Sequence, residues 1–358
     1  MSKILSKKLF GIVLILCLAL GAFTGCGSNS TPAPAEPTAP AVRTITDMAG
    51  RQVTIPTEIK RIATLGSVPV VNSFVFTLGE QDKIVNGLPP FARNNPRWKY
   101  QLIFAPELKD KPMMQGDQYM PNLEELFMAA PDVIFVMEDT YLTMLEEKGL
   151  NVVFLSWREP EDVKQVITLM GDVLNKQEQA AKYCAHFDNT IKLIAEKVAA
   201  VPEKTPVLFS ELSQLSQSLL IVDWWINAAG GISLTDDGRT VEGYNFTMEQ
   251  LLKWDPEVLF VPNAKEYDLA FSDERFKNIR AVKNNRVYLS PIGAHTWAYR
   301  TAEQPLTVLW AATSIYPEVF KDVDLEKEVQ SFYSEFYKVD LTEEQVKEIL
   351  SGNPVLPQ

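Results

Sequence analysis

Cysteine and histidine are scarce in this chain of 358 residues, which has three of the first and two of the second. Cys17 lies in an apolar leader, Cys26 at its end, and Cys184 stands alone, so the exported chain has no disulfide framework and must stand on hydrophobic cores. His186 and His295 are far apart in the sequence, which excludes the clustered ligands of a zinc hydrolase. There is no Gly-x-Ser-x-Gly elbow, no P-loop and no dinucleotide fingerprint, because Gly230-Gly231 is followed by no third matching glycine. Lys and Arg total 34 against 46 Asp and Glu, a balance that argues against nucleic acid and against a polybasic membrane surface as partner. No apolar run is long enough for a spanning helix; residues 9–20 come nearest and fall short.

What is present begins with a targeting signal. Lys3, Lys7 and Lys8 precede that apolar run, and Ala22-Phe23-Thr24-Gly25-Cys26 closes it. The closing stretch resembles a bacterial lipoprotein box, with Phe23 where leucine is usual. Acylation of Cys26 is therefore expected, with the mature chain anchored on the extracytoplasmic face of the cell membrane, in either a Gram-positive or a periplasmic setting. Residues 26–42, rich in Pro, Ser, Thr and Ala, cannot bury a core and read as a tether.

The 46% hydrophobic content of the whole chain supports two domains of ordinary size beyond the tether. Residues 43–56 hold two β-prone runs around Gly50, which predicts a hairpin. Short apolar strands then alternate with helices: strands at 61–65, 133–136 and 152–155, and again at 207–210, 219–222, 258–261 and 287–289. This rhythm predicts α/β architecture with parallel sheets. Between the two series, Val163, Val166, Ile167, Met170, Val173 and Leu174 fall at helical spacing. A second helix follows over residues 177–199, about 35 Å long at 1.5 Å per residue. The reading is an N-terminal lobe at 43–158, a helical linker at 159–200, and a C-terminal lobe with a helical tail at 201–358.

One segment occurs twice in outline. PNLEELFMAAPDVIFV (121–136) and FTMEQLLKWDPEVLFV (246–261) both place a glutamate in a first helical turn and then run through Pro-acid-Val into a strand. Negative charge at a helix N-terminus is stabilising by about 0.3 to 1 kcal/mol, which by itself accounts for the residue type.

The order and spacing of several segments resemble the substrate-binding lipoproteins of ABC importers that carry iron-siderophore chelates, haem and cobalamin. The carriers are residues 46–56 with Arg61-Ile62, Leu78-Gly79 before Asp82-Lys83-Ile84-Val85, the two repeats, Ala228-Ala229-Gly230-Gly231, and residues 281–288. The resemblance implies two Rossmann-like α/β lobes joined by one long helix, with a ligand cleft between them. It implies a binding protein and not an enzyme, working as a monomer with a permease dimer and its cytoplasmic ATPase. It also implies that Glu124 and Glu249, one per lobe, dock on the permease, with Glu125 as an alternative to Glu124. No cofactor of its own is expected. The expected cargo is a metal chelate, a ferric siderophore first, with haem, a cobamide, a nickel chelate and molybdate or tungstate as alternatives.

Ligands of such sheets sit beyond the carboxyl ends of the strands. The loops there offer Ser67, Tyr119, Tyr141, Trp157 and Arg158 in the N-terminal lobe, and Trp224, Trp225 and Arg239 in the C-terminal lobe. The richest loop holds His295, Trp297, Tyr299 and Arg300, with His295 able to ligate a metal and Arg300 able to fork onto oxygen anions. Bland readings stand beside these. Trp224-Trp225 reads equally as one core and one surface residue of a helix start, and Arg239 as a partner of Asp236-Asp237. His186 reads as solvent-facing. Arg93 and Arg97-Trp98, in a proline-rich insertion, read as a solvated loop or as a lid.

Overall fold

The computed structural model describes residues 41–156 and 160–354. The leader, Cys26, most of the tether, Trp157 and Arg158 lie outside the described residues. No helix among the described residues is long and apolar enough to cross a membrane.

The folded part opens with β1 (Val42–Thr46) and β2 (Gln52–Pro56), which pair antiparallel with Val42 opposite Pro56. Gly50 closes the turn at φ +75°, and the Asp47 carboxylate accepts the N–H groups of Ala49 and Arg51 at 3.0 Å each. The chain continues through β3 (Ile62–Leu65) and α1 (Val68–Thr77), then an insertion holding α2 (Pro90–Arg93) and α3 (Lys99–Phe104). It proceeds through α4 (Leu123–Ala129), β4 (Val133–Val136), α5 (Leu142–Glu147) and β5 (Val152–Phe154).

Next come α6 (Pro160–Leu174) and α7 (Gln177–Val198). The helical stripe expected at Val163 to Leu174 is buried along its length. Helix α7 spans 22 residues and buries Ala180, Tyr183, Phe187, Thr190 and Ile194 against α6, α8 and α12. The second α/β series is β6 (Pro206–Phe209), β7 (Ser216–Gln217), α8 (Ile221–Ala228), β8 (Ile232–Ser233), β9 (Tyr244–Asn245), α9 (Met248–Trp254), β10 (Val258–Val261), α10 (Ala264–Ser272), α11 (Arg280–Lys283), β11 (Val287–Leu289) and α12 (Gln304–Ile315). The strand expected at 219–222 is instead the start of α8: that short apolar run is followed by Asp223 to Ala228 at helical period, and the longer pattern prevails.

Both sheets are parallel and share one order. Ile84 bridges Ile62 on one side of β3, and β4 and β5 follow on the other. In the second lobe β8 lies on one side of β6, and β10 and β11 on the other. Counted along the chain, each lobe runs 2-1-3-4, so each has one crossover point, between β3 and β4 and between β6 and β10. The repeated segments are the helix and strand that make this crossover. Asn122 caps α4 through the Glu125 N–H, and Thr247 with Gln250 forms a capping box on α9. Both helices end in the left-handed region, Ala130 at φ 42° and Asp255 at φ 43°. Pro131 and Pro256 then prevent continuation.

The tail departs from the simple two-lobe division. After α13 (Leu325–Phe332) the chain forms a π turn over Tyr333–Tyr337 and then α14 (Glu343–Ser351). Phe104 of the N-terminal lobe stacks on Tyr333 at 4.9 Å, and Gln81 donates to the Tyr337 carbonyl at 2.8 Å. One apolar core therefore runs continuously from the first lobe through α7 into the tail.

Candidate functional site

In the N-terminal lobe the crossover point is lined by Gly66-Ser67 after β3 and Met137-Glu138 after β4. Ser67 donates its backbone N–H to Glu138 Oε1 at 3.2 Å. Burial pushes the Glu138 carboxyl up to about 7, against the stabilising Ser67 N–H. Tyr119 stands beside it, its phenol raised by burial and by the Glu138 charge. The Tyr141 hydroxyl reaches the Gln118 carbonyl at 3.5 Å.

In the C-terminal lobe Glu211 follows β6. It accepts hydroxyl groups from Ser216 at 3.1 Å, Ser218 at 2.9 Å and Tyr299 at 3.0 Å. Burial raises the Tyr299 phenol, and Glu211 adds to the shift. Arg300 pairs with Glu242 at the rim.

The insertion connects these two surfaces. Arg97 donates through Nε to Thr296 Oγ1 at 3.0 Å, and its guanidinium lies 4.9 Å from the Trp98 ring centroid and 5.8 Å from that of Tyr299. Burial lowers its pKa, and it has no carboxylate partner among the described residues. Gln101 donates to the carbonyls of Pro69 and Ala294, at 2.8 and 2.7 Å, joining α1 to the last loop. Lys99 and Tyr100 both reach Glu348 on α14, Lys99 at 2.7 Å and Tyr100 at 2.7 Å. The insertion is thus a wedge between the last loop and the tail, packed on both sides, where the sequence allowed a solvated loop or a lid.

The last loop is held from beneath. The buried Glu303 carboxylate accepts the N–H groups of Ala294 (2.8 Å) and His295 (3.1 Å), the Thr301 hydroxyl (2.8 Å) and the Tyr333 hydroxyl. A Cβ on Gly293 would collide with both Tyr333 and Glu303, so glycine is required there.

Several expected contacts are corrected by burial. Trp225 and Trp297 are fully enclosed. Trp225 packs on Phe209, Phe260 and Trp310 and donates to the Ala298 carbonyl at 3.1 Å, so it belongs to the core. Trp297 is held by its backbone N–H on the Pro291 carbonyl at 3.0 Å and turns no face to the cleft. Trp224 stacks on Phe187 of α7. Arg239 pairs at 2.7 Å with Asp223, whose carboxylate also takes the hydroxyls of Ser233 and Thr235. Asp237 is a secondary partner at 3.5 Å. His186, read as solvent-facing, is half-buried and tilts against Phe332 and Phe336.

His295 is also enclosed, 5.0 Å from the Trp98 ring, with Nδ1 at 3.2 Å from the Thr296 carbonyl. Burial first, then the Arg97 charge, lowers its pKa to about 3, so the ring is neutral. Among the described residues no three His, Cys, Asp or Glu side chains converge as metal ligands. Because the unfolded histidine binds a proton below its ordinary pKa and the folded one does not, stability is expected to fall as pH drops below about 6.5, by about 1.4 kcal/mol per unit for one proton. His295→Asn is expected to flatten that limb in denaturant titrations between pH 6.5 and 4.5; an unchanged slope would show that His295 does not cause it.

The residues that sequence reading left undecided or missed are Arg97, Gln101, Glu242 and Glu303. A Pro-flanked Arg-Trp pair was the only signal for Arg97, and its partner Thr296 lies 199 residues further on.

The sequence pattern of the family described as "Periplasmic binding protein" matches residues 76–292. The chain belongs to that family. This periplasmic binding protein is 28% identical over 334 residues to the molybdate-binding protein MolA of Haemophilus influenzae, covering 83% of this chain and 91% of the relative. It is 24% identical over 309 residues to the iron-uptake system-binding protein of Bacillus subtilis, covering 80% and 92%. Among solved structures, a periplasmic solute binding protein from Veillonella parvula superposes with a TM-score of 0.74 at 25% identity, over 87% of this chain and 97% of that one. The binding protein therefore has the two-lobed α/β fold expected of it, serves ABC transport, and is not an enzyme.

Proposed function

We propose that this binding protein captures an anion of the molybdate type between its lobes and delivers it to a membrane permease. Arg97 carries the reading. A guanidinium taken largely out of water, held in place by two aromatic rings and one hydroxyl, with no carboxylate of its own, is arranged for an anionic ligand. On the C-terminal side of the cleft the other charges are compensated: Arg300 with Glu242, and Glu211 by three hydroxyls.

The ferric siderophore favoured by the sequence needs broad aromatic walls. Trp225 and Trp297 are in the core, leaving Tyr119, Tyr141 and Tyr299 among the described candidates, while the Arg97–Thr296 and Gln101–Ala294 bonds draw the insertion onto the last loop. A compact ligand suits that geometry. A structure of MolA has been solved with molybdate bound, which supports the choice, whereas the Bacillus subtilis relative is named for iron uptake. Calorimetric titration with molybdate, tungstate, sulfate, a ferric hydroxamate, haem, a cobamide and a nickel chelate tests the reading. Saturable binding of molybdate or tungstate is expected; saturation by the ferric hydroxamate alone would replace the oxyanion with a chelate.

Delivery is proposed to use the repeats. Glu124 is exposed, while Glu125 is half-buried. Three residues after Glu124 stands exposed Phe127, and three after Glu249 stands exposed Leu252, 51% and 50% accessible, so each lobe offers one carboxylate beside one apolar side chain. Acylation at Cys26 and a monomeric state complete the proposal: one binding protein, anchored on the extracytoplasmic face, presenting two like patches to a two-fold permease.

A further inference from the structure

The two carboxylates nearest the crossover points are satisfied very differently. Glu211 accepts three hydroxyl groups. Glu138 accepts backbone N–H groups alone, from Ser67 through Oε1 and from its own peptide, and its Oε2 is shielded from solvent with no hydrogen-bond partner. No lysine or arginine among the described residues pairs with it. An ionised carboxylate so placed is costly unless a proton, a cation or a donor reaches it.

The surface beneath Glu138 is rigid. Gly66 holds φ +80°, and any Cβ there would collide with the Glu138 carboxyl. Gln115 clamps that turn from both sides, donating to the Gly66 carbonyl at 2.7 Å and accepting the Gly66 N–H at 2.6 Å. Tyr119 is the titratable group that feels its charge; Asp139 and Tyr141 follow on its own loop, and the first turn of α1 brings no charge to it.

We propose that Glu138 is a ligand-contacting residue that makes anion capture proton-linked: its carboxyl takes one proton from solution and donates it as a hydrogen bond to an oxygen of the bound anion. The inference rests on the anion reading above. The raised affinity of this carboxyl for protons, to about 7, places the transition in the neutral range. Above that pH the carboxylate repels the ligand it would otherwise hold, so a small rise in external pH weakens capture.

The test is calorimetric titration with sodium molybdate from pH 6 to 8.5, in two buffers of different ionisation enthalpy, on the full chain and on Glu138→Gln. The wild type is expected to lose about tenfold in affinity per pH unit above 7 and to take up about one proton on binding. Glu138→Gln keeps a donor at that position and is expected to bind with the low-pH affinity of the wild type throughout, with no proton uptake. Wild-type binding that is flat with pH, or a Glu138→Gln profile parallel to it, would overturn the role of Glu138 and leave the anion reading standing. Absence of molybdate binding at every pH would overturn both.

Discussion

Arg97→Ala is expected to weaken oxyanion binding by about thirtyfold or more while leaving the fold intact. Truncating one partner of a buried, hydrogen-bonded charge pair costs about 2 to 5 kcal/mol, and each 1.4 kcal/mol is tenfold in affinity. Within the protein the same side chain makes one hydrogen bond to Thr296 and two ring contacts, and no ion pair among the described residues, so its loss exposes no buried carboxylate. Arg97→Lys separates charge from geometry. Lysine keeps the charge but has no planar fork to lie on Trp98 and Tyr299 or to grip two oxygens, so recovery is expected to be partial. Calorimetry and thermal unfolding on the three proteins decide the matter; Arg97→Ala with unchanged affinity would remove the central support for an anion.

Glu124→Ala combined with Glu249→Ala is expected to leave ligand affinity within about twofold of wild type and to reduce permease-dependent uptake about tenfold or more. Both carboxylates are exposed at the first turn of a helix. Rim charges of this kind govern encounter and register more than affinity. Because the two patches are alike and lie one on each lobe, either single substitution is expected to leave part of the effect. Uptake of labelled ligand in cells carrying the permease, set beside titration of the purified variants, is the measurement. Normal uptake by the double variant would assign the repeat to fold construction alone.

That repeat shows how far one sequence reaches. Its helix-turn-strand outline was legible because local chemistry writes it: a capping side chain, an apolar stripe, then a proline before four apolar residues. Its purpose became visible only with the sheet orders, since α4–β4 and α9–β10 are the crossovers that place each lobe's third strand beside its first. Period also misled once, at 219–222, where a short apolar run was a helix start.

The candidate site was less legible. The aromatic and cationic content of residues 293–300 was plain, but not which way each side chain turns. Trp297 faces the core, and Arg300 is paired with Glu242, 58 residues earlier in the chain. Arg97, the proposed ligand group, comes from an insertion that reads as a solvated loop or a lid.

Composition, periodicity and short-range motifs, all properties of neighbouring residues, determined by themselves that the folded part is two-lobed and α/β, and the resemblance of those motifs to a known family pointed to transport. The direction of each side chain, the identity of Arg97 and the isolation of Glu138 were decided only by the tertiary structure. Burial and unpaired charge arise when segments about two hundred residues apart meet, and no local pattern encodes that meeting.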